Sequence, residues 1–375
     1  MDKSKAFFAL VRAGLWEKEV RLAPYGEIDY AEVLRMAEVQ SVVGLVAAGI
    51  EHIVDVRPQK KDVLQFIGRV TQVEQQNTAM NYFIGVMMDK MREAGIYSVL
   101  VKGQGVAQCY ERPLWRACGD VDLLLDAENY ERAKAFLIPL ASNVETEFTH
   151  FKHLGMTIDP WVVELHGTMH SRLSRRIDAE LDWIQEECLR DGKVRAWRDG
   201  ETDVFLPAPD EDVIFVFTHI LHHFFLEGIG LRQICDWCRL LWTYRDSLDY
   251  ELLESRIRKA GLMSEWKAFA AFAVEYLGMP LESMPLFNVN DNQNANLKSK
   301  ADRIMAFVLE VGNFGHNKVD QSTGGKAKVY FWRKFVSFWG RLSDMLRHFR
   351  IFPLDSIRFF SGVLRSGLHA AVRGE

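Results

Sequence analysis

Long apolar runs are missing from this sequence. "SVVGLVAAGI" at 41–50 comes closest, but it falls short of the roughly 18–20 residues a membrane span needs and is bounded by polar residues. It reads as a core helix. The start, "MDKSKAFFALVRAGLWEKEV", has lysines and a short apolar stretch, yet Arg12 interrupts it and no small-residue cleavage site follows, which argues against a secretory leader. Cysteine is also scarce: five, an odd number without regular spacing, do not make a disulfide framework for 375 residues. A reducing compartment suits them, and the expectation is a cytoplasmic protein. No charge of one sign dominates either. Lys and Arg total 46 against 51 Asp and Glu, a formal net charge of -5, which argues against coating nucleic acid with the whole surface and leaves only local patches for such a role. No internal repeat is present.

What is present is core-forming material, with 48% hydrophobic residues and 12% aromatics. That suffices for a globular chain of two or three domains. Apolar spacings of three and four run through the first ninety-odd residues, and Gly95 stands where a helix would end. The pattern then changes. "IYSVLVKG", "VDLLLD", "TEFTHFKHLGMTIDP" and "WVVELHG" read as strands, the last two joined by a turn at "DP". "VAQCYERPLW" reads as a helix stopped near Pro113, and Asp126 is placed to cap the helix "AENYERAKAFLIPL". Further on, "KVRAWRDGETDVFLP" reads as a small strand pair, and helices surround it. The expectation is an α+β protein with a small mixed-sheet core at 96–208 between an N-terminal helical region, 1–95, and a helical cap, 209–285. An asparagine-rich linker with a helix, 286–325, and a basic aromatic helical region, 326–375, complete the chain.

Chemistry concentrates in "CGDVDLLLD". Residues two apart on a strand project to one face, so Asp120 and Asp122 point together and repel unless a cation joins them. A hard divalent ion such as Mg²⁺ prefers carboxylate oxygens and keeps phosphate oxygens in its remaining positions. Upstream, the "KGQG" turn, Lys102 to Gly105, offers glycines that let backbone amides approach phosphate. Downstream, Glu164 lies in the apolar strand "WVVELHG". Neither the acid pair nor the glycine turn is specific alone. Their order and distance, with Glu164 following, is what points to phosphate plus metal.

These residues carry a resemblance. "KGQGVAQCYERPLWRACGDVDLLL" resembles the uncharacterised bacterial nucleotidyltransferase family of the polymerase β-like superfamily, matching at Lys102, Gly103, Gly105, Tyr110, Pro113, Arg116, Gly119, Asp120, Asp122 and Leu123. Glu164 to His166 resembles the family's later acid-Leu-His, and Leu231, Arg232 and Asp236 its downstream helical motif. The resemblance spans roughly 90–245. It implies a nucleotidyltransferase core in which Asp120, Asp122 and Glu164 hold two Mg²⁺ ions, with Mn²⁺ as a substitute. The partners implied are an NTP and a hydroxyl-bearing small molecule, sugar or protein that receives the NMP. Lys102, Gly103, Gln104, Gly105 and Arg116 are the implied nucleotide contacts, and His166, Arg232 and Asp236 the implied site neighbours. Two departures stand out: Gln104 occupies a loop position usually held by a small residue, and Glu164 is one methylene longer than the more common Asp. They motivate an alternative, a scaffold or sensor with the same fold that binds nucleotide without turnover.

Other features have plainer readings. Arg116 can serve phosphate or pair with Asp120 or Asp126, and Arg232 and Asp236 sit one turn apart as a helical ion pair would. His219 with His222 or His223 has metal-ligand spacing on a helix, but a helical wall over the nucleotide is preferred. Cys235 and Cys238 read as buried thiols. From Lys326 onward ten Lys or Arg face three Asp or Glu, with Phe331, Trp332, Phe335, Phe338 and Trp339 interleaved. Aromatics packed inward with a basic rim are preferred there to contact with nucleic acid or a membrane surface.

Overall fold

The computed structural model describes residues 3–149, 152–200, 202–226, 228–312 and 347–359. The aromatic run Phe331 to Trp339 lies outside these residues.

The periodic N-terminal stretch forms four helices: α1 (Lys3–Trp16), α2 (Tyr30–Val39), α3 (Val43–Glu51) and α4 (Lys60–Glu93). Asp29 caps α2 by accepting from the Glu32 amide at 3.1 Å. Gly95, with φ +67°, follows the end of α4. Next come β1 (Val99–Val101), α5 (Gly103–Ala107), β2 (Asp120–Leu124), α6 (Ala127–Leu137), β3 (Asn143–Val144), β4 (His153–Ile158) and β5 (Trp161–His166). As expected, Asp126 caps α6, accepting from the Asn129 amide at 2.7 Å. The chain continues through α7 (Arg175–Leu189), the hairpin β6 (Val194–Asp199) and β7 (Thr202–Pro207), α8 (Pro209–Leu226), α9 (Leu231–Tyr244), α10 (Tyr250–Ala260), α11 (Met263–Leu277), α12 (Val289–Gln293) and α13 (Ala295–Val311).

Strands β1 to β5 form one mixed sheet in the order β1-β2-β5-β4-β3, with β2 and β5 parallel and the other pairs antiparallel. The fold is α+β. Alternation sorts the side chains by face. Leu100, Val121, Leu123, Val163 and Leu165 pack against a methionine-rich side of α4 and against Tyr130 of α6. Val99, Val101 and Leu124 face the larger core, which holds Phe217 of α8, Trp237 of α9 and Phe7 of α1. Asp120 and Asp122 share the parity of Leu124, so they point towards α8 and α9. The acids therefore lie at the floor of the larger layer rather than in the methionine-rich one.

Two local expectations change. The helix expected over 106–115 stops at Ala107. The carbonyl of Cys109 is taken by Arg239 (2.8 Å) and Thr243 (3.2 Å) of α9, so tertiary partners replace continued helical bonding. Residues 286–299, read as loop from their asparagines, contain α12 and the start of α13, with Asn288 and Asn294 as their N-caps. Asparagine suits caps as well as turns, and composition alone does not distinguish them. Among the described residues no helix is long and apolar enough to cross a membrane.

Candidate functional site

Pairing across the sheet assembles the site. In the β2–β5 register Asp122 stands beside Glu164 and Leu124 beside His166. Across the β4–β5 hairpin His153 pairs with His166. Asp120, Asp122, Glu164, His166 and His153 thus face one cavity of about 420 Å³, whose opposite wall includes Phe215, His219 and His222 of α8 and Arg232 of α9. That volume is within the range of small-molecule sites.

The acids are not equivalent. Asp122 is 2% exposed. Its Oδ1 accepts from Lys102 Nζ at 2.6 Å and from His166 Nε2 at 2.7 Å. Burial would raise its pKa, but Lys102 and His166 outweigh this and hold the carboxyl below its ordinary value. The Asp120 carboxylate accepts no hydrogen bond among the described residues, and the neighbouring Asp122 charge, with burial, pushes its pKa up. Glu164 is held low despite burial, because its Oε2 meets His153 Nε2 at 3.1 Å and His166 Nε2 at 3.4 Å. Burial would lower the pKa of Lys102 and of His166; in each case the facing carboxylates reverse the direction.

Lys102 reaches Asp122 because the chain turns sharply after β1. Its φ is +58° and that of Gly103 is +40°. A lysine in the left-handed region is a costly conformation and tends to persist where surrounding structure enforces it. Of the "KGQG" turn, Lys102 and Gly103 line the cavity. Gln104 and Gly105 are turned elsewhere: the Gln104 amide donates to Asn77 Oδ1 at 2.8 Å beneath α4, and Gly105 lies against Leu206 of β7. Of the expected nucleotide contacts, these two residues do not line the cavity.

Arg116 pairs with neither Asp120 nor Asp126. Its guanidinium grips Asp236 at 3.1 and 2.6 Å, and Tyr110 donates to the same carboxylate at 2.8 Å. Asp236 thus joins α9 to the segment after α5. Arg232 donates to the Ala117 carbonyl at 2.8 Å, and burial together with the Arg116 charge lowers its pKa. On α8, His223 Nε2 and His219 Nε2 are 2.9 Å apart and His222 Nδ1 lies 2.7 Å from the Ser171 carbonyl. Burial, then Lys102 and His223, drive the His219 pKa well down, so this wall presents a neutral imidazole. Cys235 and Cys238 are fully buried free thiols.

His153 escaped the sequence reading, although its signal was there. A two-residue turn at Asp159–Pro160 fixes the hairpin register, and counting back from it places His153 opposite His166.

The mixed sheet thus carries paired carboxylates on β2 with a left-handed lysine turn beside them. Residues 26–278, more than half of the chain, match the model of the uncharacterised nucleotidyltransferases, and the chain belongs to that family. A search of curated proteins gave no match. Among solved structures, the crystal structure of an antigenic nucleotidyltransferase-like protein from Paracoccidioides brasiliensis is similar over 49% of this chain and 90% of that one, at 14% identity and a TM-score of 0.31. At that TM-score the likeness decides nothing about this site.

Proposed function

We propose that the chain moves an NMP from an NTP to a hydroxyl of an acceptor molecule in the cavity beneath α8. Family membership supports the reaction class. The observation that carries the site is Asp120: a carboxylate facing the cavity, without a hydrogen bond among the described residues and crowded by Asp122. Such a group suits a hard cation, and the oxygen donors of Asp120, Asp122 and Glu164 fit Mg²⁺. When bound, Mg²⁺ would neutralise triphosphate charge and lower the pKa of the attacking hydroxyl.

The chain's own residues do the rest. Lys102, already drawn to Asp122, holds positive charge at the cavity floor beside the carboxylates, where a phosphate oxygen would otherwise be repelled. Gly103 leaves the backbone of the turn uncovered towards the cavity. Arg116, which also lines the cavity, is locked on Asp236 and positions α9. The acceptor hydroxyl attacks the α-phosphorus in line, the bond to the β-phosphate oxygen breaks, pyrophosphate leaves, and the hydroxyl proton passes to a cavity base such as Glu164.

One observation favours a second reading. Asp122 already holds two partners, the Lys102 ammonium and the His166 imidazole. A scaffold or sensor that binds nucleotide without turnover would tolerate that arrangement. Calorimetry of each NTP with Mg²⁺, paired with a pyrophosphate assay on a small-molecule acceptor library, separates the two. Binding with pyrophosphate release supports transfer, binding alone supports the sensor, and no binding overturns both.

A further inference from the structure

We propose that His153, Glu164 and His166 form a site for a divalent first-row transition metal such as Co²⁺ or Zn²⁺, with Mn²⁺ as a spectroscopic probe, placed beside the Asp120–Asp122 pair. The proposed Mg²⁺ reading uses oxygen donors alone. This site shares Glu164 with it but rests on two imidazole nitrogens, and it stands whether or not nucleotide is transferred.

The backbone builds the cluster. Hairpin register sets His153 and His166 directly across from each other, and alternation sets Glu164 on the same face as His166. Both Nε2 atoms converge on one oxygen, Glu164 Oε2, at 3.1 and 3.4 Å. Metal–nitrogen bonds of about 2.0–2.1 Å imply ligand-to-ligand edges of roughly 3.0–3.4 Å, depending on octahedral or tetrahedral geometry. Two edges of the cluster already have that length. The three ligand atoms all lie within 4.8 Å of one another.

The chemistry of the set decides the class of ion. Two imidazoles and one carboxylate favour first-row transition metals, which accept nitrogen ligands, over Mg²⁺, which prefers oxygen and keeps its waters. All three side chains are partly open to the cavity, with exposures of 21%, 28% and 19%, so an ion and its remaining ligands can reach them. Asp122 Oδ1, 2.7 Å from His166 Nε2, connects this site to the carboxylate pair.

The test loads the full chain with Mn²⁺, counts bound ion by electron paramagnetic resonance, and looks for imidazole nitrogen coupling by pulsed methods. The expected result is bound Mn²⁺ with nitrogen coupling that survives excess Mg²⁺. His153→Ala should weaken Mn²⁺ binding by about tenfold or more, whereas Asp120→Asn should keep the coupling while losing any nucleotidyl transfer. Bound Mn²⁺ without nitrogen coupling, or complete displacement by Mg²⁺, would overturn the assignment, and the wild-type spectrum decides even where a variant fails to fold. Nitrogen coupling in a protein that transfers no NMP from any NTP would sustain this site and remove the transfer reading instead.

Discussion

Asp236 holds more of the structure than its place on the α9 surface pattern suggested. Its carboxylate takes Arg116 twice and Tyr110 once, all with side chains buried. Asp236→Ala leaves Arg116 charged and unpaired in the interior, a change that costs about 3–5 kcal/mol. Tyr110→Phe removes one neutral donor and costs about 1 kcal/mol. Urea denaturation of the two variants should order them that way; equal losses would mean that the Arg116 pair carries little. At this scale the sequence was uneven. Asp120, Asp122 and Glu164 were legible from strand parity and order. Arg116 was not, because its partner lies 120 positions away on another element. The two-residue turn at Asp159–Pro160 encodes the position of His153 opposite His166.

Elements meet here through small residues, and their tolerance should differ by what lies opposite. A Cβ on Gly14 of α1 would sit 1.9 Å from the Leu45 carbonyl oxygen, and one on Gly49 of α3 would sit 2.1 Å from that of Leu10. The two helices cross with backbones nearly touching. Gly14→Ala must push them apart and should cost about 3 kcal/mol. Gly105→Ala meets only the end of the Leu206 side chain, at 2.7 Å, which can rotate. Its cost should be about 1 kcal/mol. Thermal melts of the pair check this, and the reverse order would contradict the helix crossing. Periodicity revealed the helices themselves, since one apolar face is a local property. It missed the stop after Ala107, because Arg239 and Thr243 take the Cys109 carbonyl from a distant helix.

Across the whole molecule, one apolar layer joins α1 to α3, α8, α9, α11 and α13, and residues 347–359 close over it. Phe352 and Phe359 are buried beside Phe225, and Phe352 also approaches Phe224. Phe352→Ala should therefore destabilise the full chain by about 3–5 kcal/mol, read by chemical denaturation; an unchanged midpoint would mean that this segment does not share the core. This layer also matters for the site, because it fixes α8 and α9 as the wall facing the β2 carboxylates. The most direct test of the proposed chemistry is pyrophosphate release from each NTP with Mg²⁺ and an acceptor library, comparing the wild type with Asp120→Asn. If Asp120 holds the proposed cation, its loss predicts a fall of roughly 100-fold or more in the variant. Release at equal rates in the two proteins would contradict the assignment of Asp120 to the reaction.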